Sequence, residues 1–89
     1  MKRKMFYVLT YRGKTYIAQW KGGSVVLKED KRSPDQVLID ATAQGLDIRY
    51  AGVSFGTKTT EGICQWFLSE IDQDAQWDWE PHSEVVVRG

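Results

Sequence analysis

An α+β fold of order βββ-α-β-α-β is predicted by three observations on this sequence. Residues 5–29 hold three runs of aromatic and β-branched residues separated by glycine-containing turns. Residues 59–73 (TTEGICQWFLSEIDQ) carry apolar residues at helical spacing, and Ser33-Pro34-Asp35-Gln36 has the chemistry of a helix start. Together they imply an antiparallel-rich sheet, a three-stranded N-terminal meander plus two further strands, with two helices expected on one face of it.

Taken in order, Met5 to Tyr11 (MFYVLTY) and Thr15 to Trp20 (TYIAQW) flank Arg12-Gly13-Lys14 and read as a hairpin, with Gly13 supplying the positive φ of a tight turn. Lys21-Gly22-Gly23-Ser24 turns the chain again into SVVLKE. With two-residue loops at both turns, Met5, Tyr7, Leu9, Tyr16, Ala18, Trp20, Val25 and Leu27 share one face, and Phe6, Val8, Ile17 and Val26 share the other. A one-residue change in either loop exchanges the faces. The larger set is the expected core face.

Ser33 is the expected cap of the first helix, Pro34 occupies its first position, and Gln36 can reach back to the cap amide. The helix runs to about Gln44. Gly45 suits the left-handed position beyond its end, with Leu46 folding back on Ala41. Val37, Leu38 and Ala41 form a narrow apolar face. Asp47 to Phe55 (DIRYAGVSF) reads as a strand, Gly52 marking a bulge or a close approach.

In the second helix, residues 59–73, Ile63, Phe67 and Ile71 lie four apart with Cys64 and Leu68 beside them, a stripe that a sheet must cover. Thr59 or Thr60 is the expected cap, and Glu61 sits where the positive end of the helix dipole favours a carboxylate. Pro81 rules out a continuing helix, and Glu84 to Arg88 is the expected last strand.

At 89 residues the chain is read as one domain, residues 1–89, with a net stability of about 4 to 13 kcal/mol. Its 42% apolar and 27% charged content belongs to a folded chain, a monomer or small homo-oligomer. The apolar run near the N-terminus breaks at Thr10 and is followed by Arg12 and Lys14, so it is read as neither signal peptide nor membrane anchor. A single cysteine fits a reducing, cytoplasmic setting. The net charge of zero conceals an asymmetry: residues 1–32 hold nine Lys or Arg against two acids, and the remainder three against ten. Such asymmetry hints at macromolecular partners, or at two halves that attract each other within one fold.

No catalytic or metal motif is present, and no cofactor is expected. Cys64 lies in the apolar stripe and reads as a structural thiol rather than a nucleophile. His82, the only histidine, reads as a solvated turn residue near Glu80 and Glu84. Asp72 with Asp74, or Asp78 with Glu80, could be paired carboxylates, yet they fit no reaction class without a second histidine or a phosphate loop.

The segment from Glu70 to Glu80 is more informative. It holds Glu70, Asp72, Asp74, Asp78 and Glu80, no positive charge, and Trp77 and Trp79. Asp72 and Asp74 fall where the helix dipole disfavours them, so they are not placed for stability. In an extended segment both tryptophans point to one side. Aromatic anchors with an acidic rim suit a basic protein partner, and spaced carboxylates can imitate nucleic-acid phosphates. The bland alternative is that the tryptophans close the core and the acids are a solvated face. A second surface, Lys2, Arg3, Lys4, Arg12, Lys14 and Lys21 with Phe6, Tyr7, Tyr11, Tyr16 and Trp20, has the residue types of a single-stranded nucleic-acid platform. The overall charge balance weighs against it.

The expectation is therefore a non-enzymatic inhibitor that blocks a macromolecular partner through the acidic, tryptophan-bearing surface. By size and charge alone it is analogous to phage proteins that disarm host nucleases and to immunity proteins. The alternative is a nucleic-acid-binding module using the basic meander.

Overall fold

The computed structural model describes residues 3–51 and 55–88, with side chains described for 5–48 and 55–86. Five strands, β1 (Arg3–Tyr11), β2 (Lys14–Lys21), β3 (Ser24–Asp30), β4 (Asp47–Ala51) and β5 (Trp79–Arg88), form one antiparallel sheet in the order β3-β2-β1-β5-β4. Two helices, α1 (Pro34–Ala43) and α2 (Thr57–Glu70), complete the α+β fold in the expected order.

The meander has the expected register. Tyr11 pairs with Lys14 and Lys21 with Ser24, so both loops are of two residues, and Leu9 faces Tyr16 while Ala18 faces Leu27. Arg12 and Gly13 both take positive φ, as do Gly22 and Gly23, the signature of hairpin turns whose twist matches the strands. Tyr7, Leu9, Tyr11, Tyr16, Ala18, Val25 and Leu27 are buried together against Ile63 and Phe67 of α2, and Phe55 and Ala75 complete that core.

The helices do not share a face. Val8 and Val85 pack with Val37 and Ala41 of α1 in a second buried cluster, to which Phe6, Ile17 and Ile48 are peripheral. Val8 points opposite to Tyr7 and Leu9, so α1 covers the other side of the sheet. The reason lies in MFYVLTY: β1 is apolar on both faces, as a strand buried from both sides must be.

α1 begins as expected, with Ser33 Oγ accepting from the Gln36 amide at 3.2 Å and Pro34 at the first position. It ends in a Schellman closure, Leu46 N–H donating to Ala41 O at 3.0 Å and Gly45 N–H to Thr42 O at 2.9 Å, with Gly45 at φ 83°. The Gln36 side chain does not return to the cap; its amide donates to Asp40 at 2.8 Å.

α2 starts two residues earlier and ends three residues sooner than its periodicity suggests. Gly56 is the N-cap without a side-chain bond, so neither Thr59 nor Thr60 caps the helix and Glu61 lies beyond its first turn. Thr59 is instead buried, accepting from Trp20 Nε1–H at 3.3 Å and donating to Tyr7 Oη at 3.5 Å. Ile71, just past the helix, is exposed, and Trp66 rather than Ile71 extends the packed stripe. β5 begins at Trp79, not Glu84. It accepts Pro81 because the register to β1 shifts there, and among the described residues the pairing with β4 reaches only to Ser83. Gly52 lies outside the described residues. Among the described residues no helix is long and apolar enough to cross a membrane.

Candidate protein-binding surface

The acidic segment is held on the body of the protein from three sides. Asp72 Oδ1 accepts from the amides of Asp74 at 2.8 Å and Ala75 at 3.0 Å, starting a 3-10 turn over Asp74–Trp77. Ala75 is fully buried in the core under α2 and so anchors the turn. Asp78 N–H donates to Ala75 O at 3.1 Å, closing it. Asp78 then receives the Arg12 guanidinium, whose Nε–H donates at 2.8 Å. That contact raises the Arg12 pKa, chiefly through the hydrogen bond to Asp78. Finally Trp79 stacks on Phe55, ring centroids 6.1 Å apart and planes at 15°, and donates Nε1–H to Cys64 Sγ at 3.5 Å. Each restraint acts on backbone or on a neighbouring side chain and leaves Trp77 untouched.

This geometry overturns two expectations. Asp72 and Asp74 do not oppose a helix dipole in the last turn of α2, because the helix ends at Glu70; Asp72 caps the following turn and Asp74 sits at its favourable N-terminal end. Nor do the tryptophans share a side, because Trp77 is in the 3-10 turn and only Trp79 is extended. Trp79 packs against the core, whereas Trp77 is 78% exposed, the most exposed of the large hydrophobic side chains described. In the same segment Glu70, Asp72, Asp74, Asp78 and Glu80 are all exposed, and of these only Asp78 is ion-paired among the described residues.

The residues of the basic surface are divided between the core and the exterior, where Trp20 is 43% exposed. Tyr7, Tyr11 and Tyr16 are buried in the core and present no stacking face. Arg12 is bound to Asp78, Lys14 lies 3.9 Å from Glu29, and Arg32 holds both Asp30 at 2.7 Å and Asp40 at 3.0 Å. Asp30 is pulled down to about 2 and Asp40 below its ordinary value, in both cases first by hydrogen bonds from Arg32. Lys21 is exposed on the sheet's other face. Lys2 and the side chains of Arg3 and Lys4 lie outside the described residues. The charge asymmetry of the chain thus serves in part to join its halves, through Arg12–Asp78 and Arg32–Asp40.

The remaining candidates are also placed. Cys64 is half-buried between Trp79 and the Gln76 carbonyl, to which its thiol donates at 3.8 Å. His82 is not in a turn: it lies within β5, partly buried, with Nε2 3.5 Å from Asp35 Oδ1 and Nδ1 3.3 Å from Ser83 Oγ. The trio has the residue types of a hydrolytic triad, but Ser83 is 0% exposed and no substrate can reach its hydroxyl. Among the described residues no three of His, Cys, Asp and Glu converge as a metal ion requires.

No protein family matches this sequence, and no curated protein or solved structure matches it significantly.

Proposed function

We propose that this protein is a non-enzymatic, protein-binding inhibitor that docks its acidic shoulder, Glu70 to Glu80 with Trp77 at its centre, on a basic surface of a macromolecular partner. One observation supports the reading above the others: a 78% exposed tryptophan stands on a turn pinned by Ala75, Asp78 and Trp79, in a segment whose carboxylates are exposed. An aromatic on a held turn loses little backbone freedom on binding and is a usual anchor of an interface, while the carboxylates steer a cationic partner and reject an anionic one. Trp79 contributes by holding the turn rather than by contact. Where the partner handles nucleic acid, the row of carboxylates competes for the sites that hold phosphates, and blocking follows from occupancy alone.

The pair Asp74→Asn with Glu80→Gln tests the electrostatic half of this proposal, since neither side chain is ion-paired among the described residues. The double variant should fold like the parent, capture less of the partner from a lysate of the native source, and lose most of the salt dependence of capture. Unchanged capture with unchanged salt dependence would refute it. Recovery that vanishes with nuclease would favour the nucleic-acid reading instead.

A further inference from the structure

β3 is an outer strand of the sheet, so one row of its backbone groups faces away from it. The Gly22-Gly23 turn closes on a hydrogen-bonded Lys21–Ser24 pair, and the ladder to β2 therefore uses Ser24, Val26, Lys28 and Asp30. The N–H and C=O groups of Val25, Leu27 and Glu29 are left pointing outward.

Beside this row runs a groove of about 770 Å³ between β3 and α2, lined by Trp20, Val25, Gly62, Gln65, Trp66 and Ser69. Gly62 sets its depth: a Cβ there would collide with the Val25 methyl group, so the glycine lets the helix lie low against the strand. The helix runs in the same direction as β3, because Thr59 meets Trp20, Gly62 meets Val25, and Trp66 packs on Tyr16, the partner of Glu29. Lys58 to Glu70 spans about 18 Å of helix, enough to flank roughly five residues of extended chain.

The charges along the groove are uneven. Lys58 stands at one end, Glu61 one turn on, and Glu70 at the other end, where the groove meets the acidic shoulder. We infer that the β3 edge and this groove form a β-augmentation site for an extended segment of the same basic partner, which adds as a sixth strand antiparallel to β3. The segment is apolar at the two positions opposite Val25 and Leu27, whose side chains share the α2 face and rest on Trp20 and Trp66. It is basic at its N-terminal end, which the antiparallel direction brings to Glu70. The charged half of β3, Lys28 to Asp30, limits indiscriminate pairing along the rest of the edge. The choice of a basic partner rests on the proposed function; the edge and groove do not.

The test is selection of a random heptapeptide library displayed on phage against the full chain, followed by titration of synthetic copies of the enriched peptides. The expected motif is Lys or Arg followed by two apolar residues two apart. N-methylation of those two apolar residues should weaken binding at least tenfold, and binding should slow hydrogen exchange at Val25, Leu27 and Glu29. Trp66→Ala should weaken the peptides about tenfold, while Trp77→Ala should leave them within twofold. Absence of the motif, harmless N-methylation, or protection elsewhere would overturn the inference. Peptides that bind the edge while partner capture ignores Trp77→Ala would remove the acidic-shoulder reading alone; the reverse pattern would remove the groove alone.

Discussion

The Arg12 guanidinium donates to the Asp78 carboxylate at 2.8 Å across 66 residues of sequence, tying the first hairpin turn to the loop that presents Trp77. Arg12 also lies 5.2 Å from the centroid of the Tyr11 ring, so its position is shared between the core edge and the acidic shoulder. The basic N-terminal part and the acidic remainder of the chain meet at this contact.

Arg12→Gln should lower the unfolding free energy only slightly, as expected of an exposed ion pair, and the loss should shrink as salt rises. Amide exchange from Asp74 to Asp78 should quicken by more than the global change explains. Denaturant unfolding at two salt concentrations with hydrogen exchange measures both. A loop equally protected in the variant would show that the ion pair does not hold it.

Asp72 separates capping from dipole effects. Asp72→Ala should cost about 1 kcal/mol by removing the side-chain acceptor of the Asp74 and Ala75 amides, whereas Asp72→Asn, which also caps, should be nearly neutral. Thermal unfolding of the two variants decides; stabilisation by Asp72→Ala would mean that the acid is there against folding.

Gly62→Ala should destabilise by about 1 to 3 kcal/mol, because the added methyl has to enter the space of the Val25 side chain. Combining it with Val25→Ala should recover part of that loss. A double-mutant cycle with zero coupling energy would contradict the close approach of α2 to β3.

Acid sensitivity should follow the cluster around Arg32. Asp30, held at about 2 against an ordinary 3.8, and Asp40, held below its ordinary value, are both depressed in the folded state. Their stabilisation is therefore present above about pH 4 and is lost as pH falls towards 2. Asp40 is solvated and Asp30 partly so, and solvent screening keeps the effect small. Arg32→Gln should flatten this part of the stability curve between about pH 4 and pH 2, and an unchanged slope would place the acid-sensitive groups elsewhere.

Much of the architecture was legible because its signals are local. The two tight turns set the meander register, and Ser33-Pro34 with Gly45 marked both ends of α1. What failed needed tertiary knowledge. Periodicity ran α2 through Ile71, yet the chain breaks there because Asp72 can cap a new turn and the Ala75 methyl fits under the helix. Thr59 looked like a cap by type, but its hydroxyl is taken by Trp20 and Tyr7. The second helical layer was implied by the two-sided apolar pattern of β1, which was visible in MFYVLTY.

In the candidate site, the carboxylates could be found by composition, whereas the division of labour between Trp77 and Trp79 could not. A spacing of two means a common face only in a strand, and here Trp77 precedes the strand. The burial of Tyr7 and Tyr16 followed from the predicted core face, whereas Tyr11 was not placed in it and Trp20, which was, is 43% exposed.

We propose that Trp77 anchors a basic protein partner. The most direct test is affinity capture from lysate of the native source with the parent and Trp77→Ala, nuclease-treated, quantified across a salt series. A nuclease-resistant protein partner eluted by salt is expected, with affinity for the variant about 30-fold weaker, corresponding to the roughly 2 kcal/mol of an interface hot spot, and with the fold intact. Equal capture by the parent and the variant would contradict it.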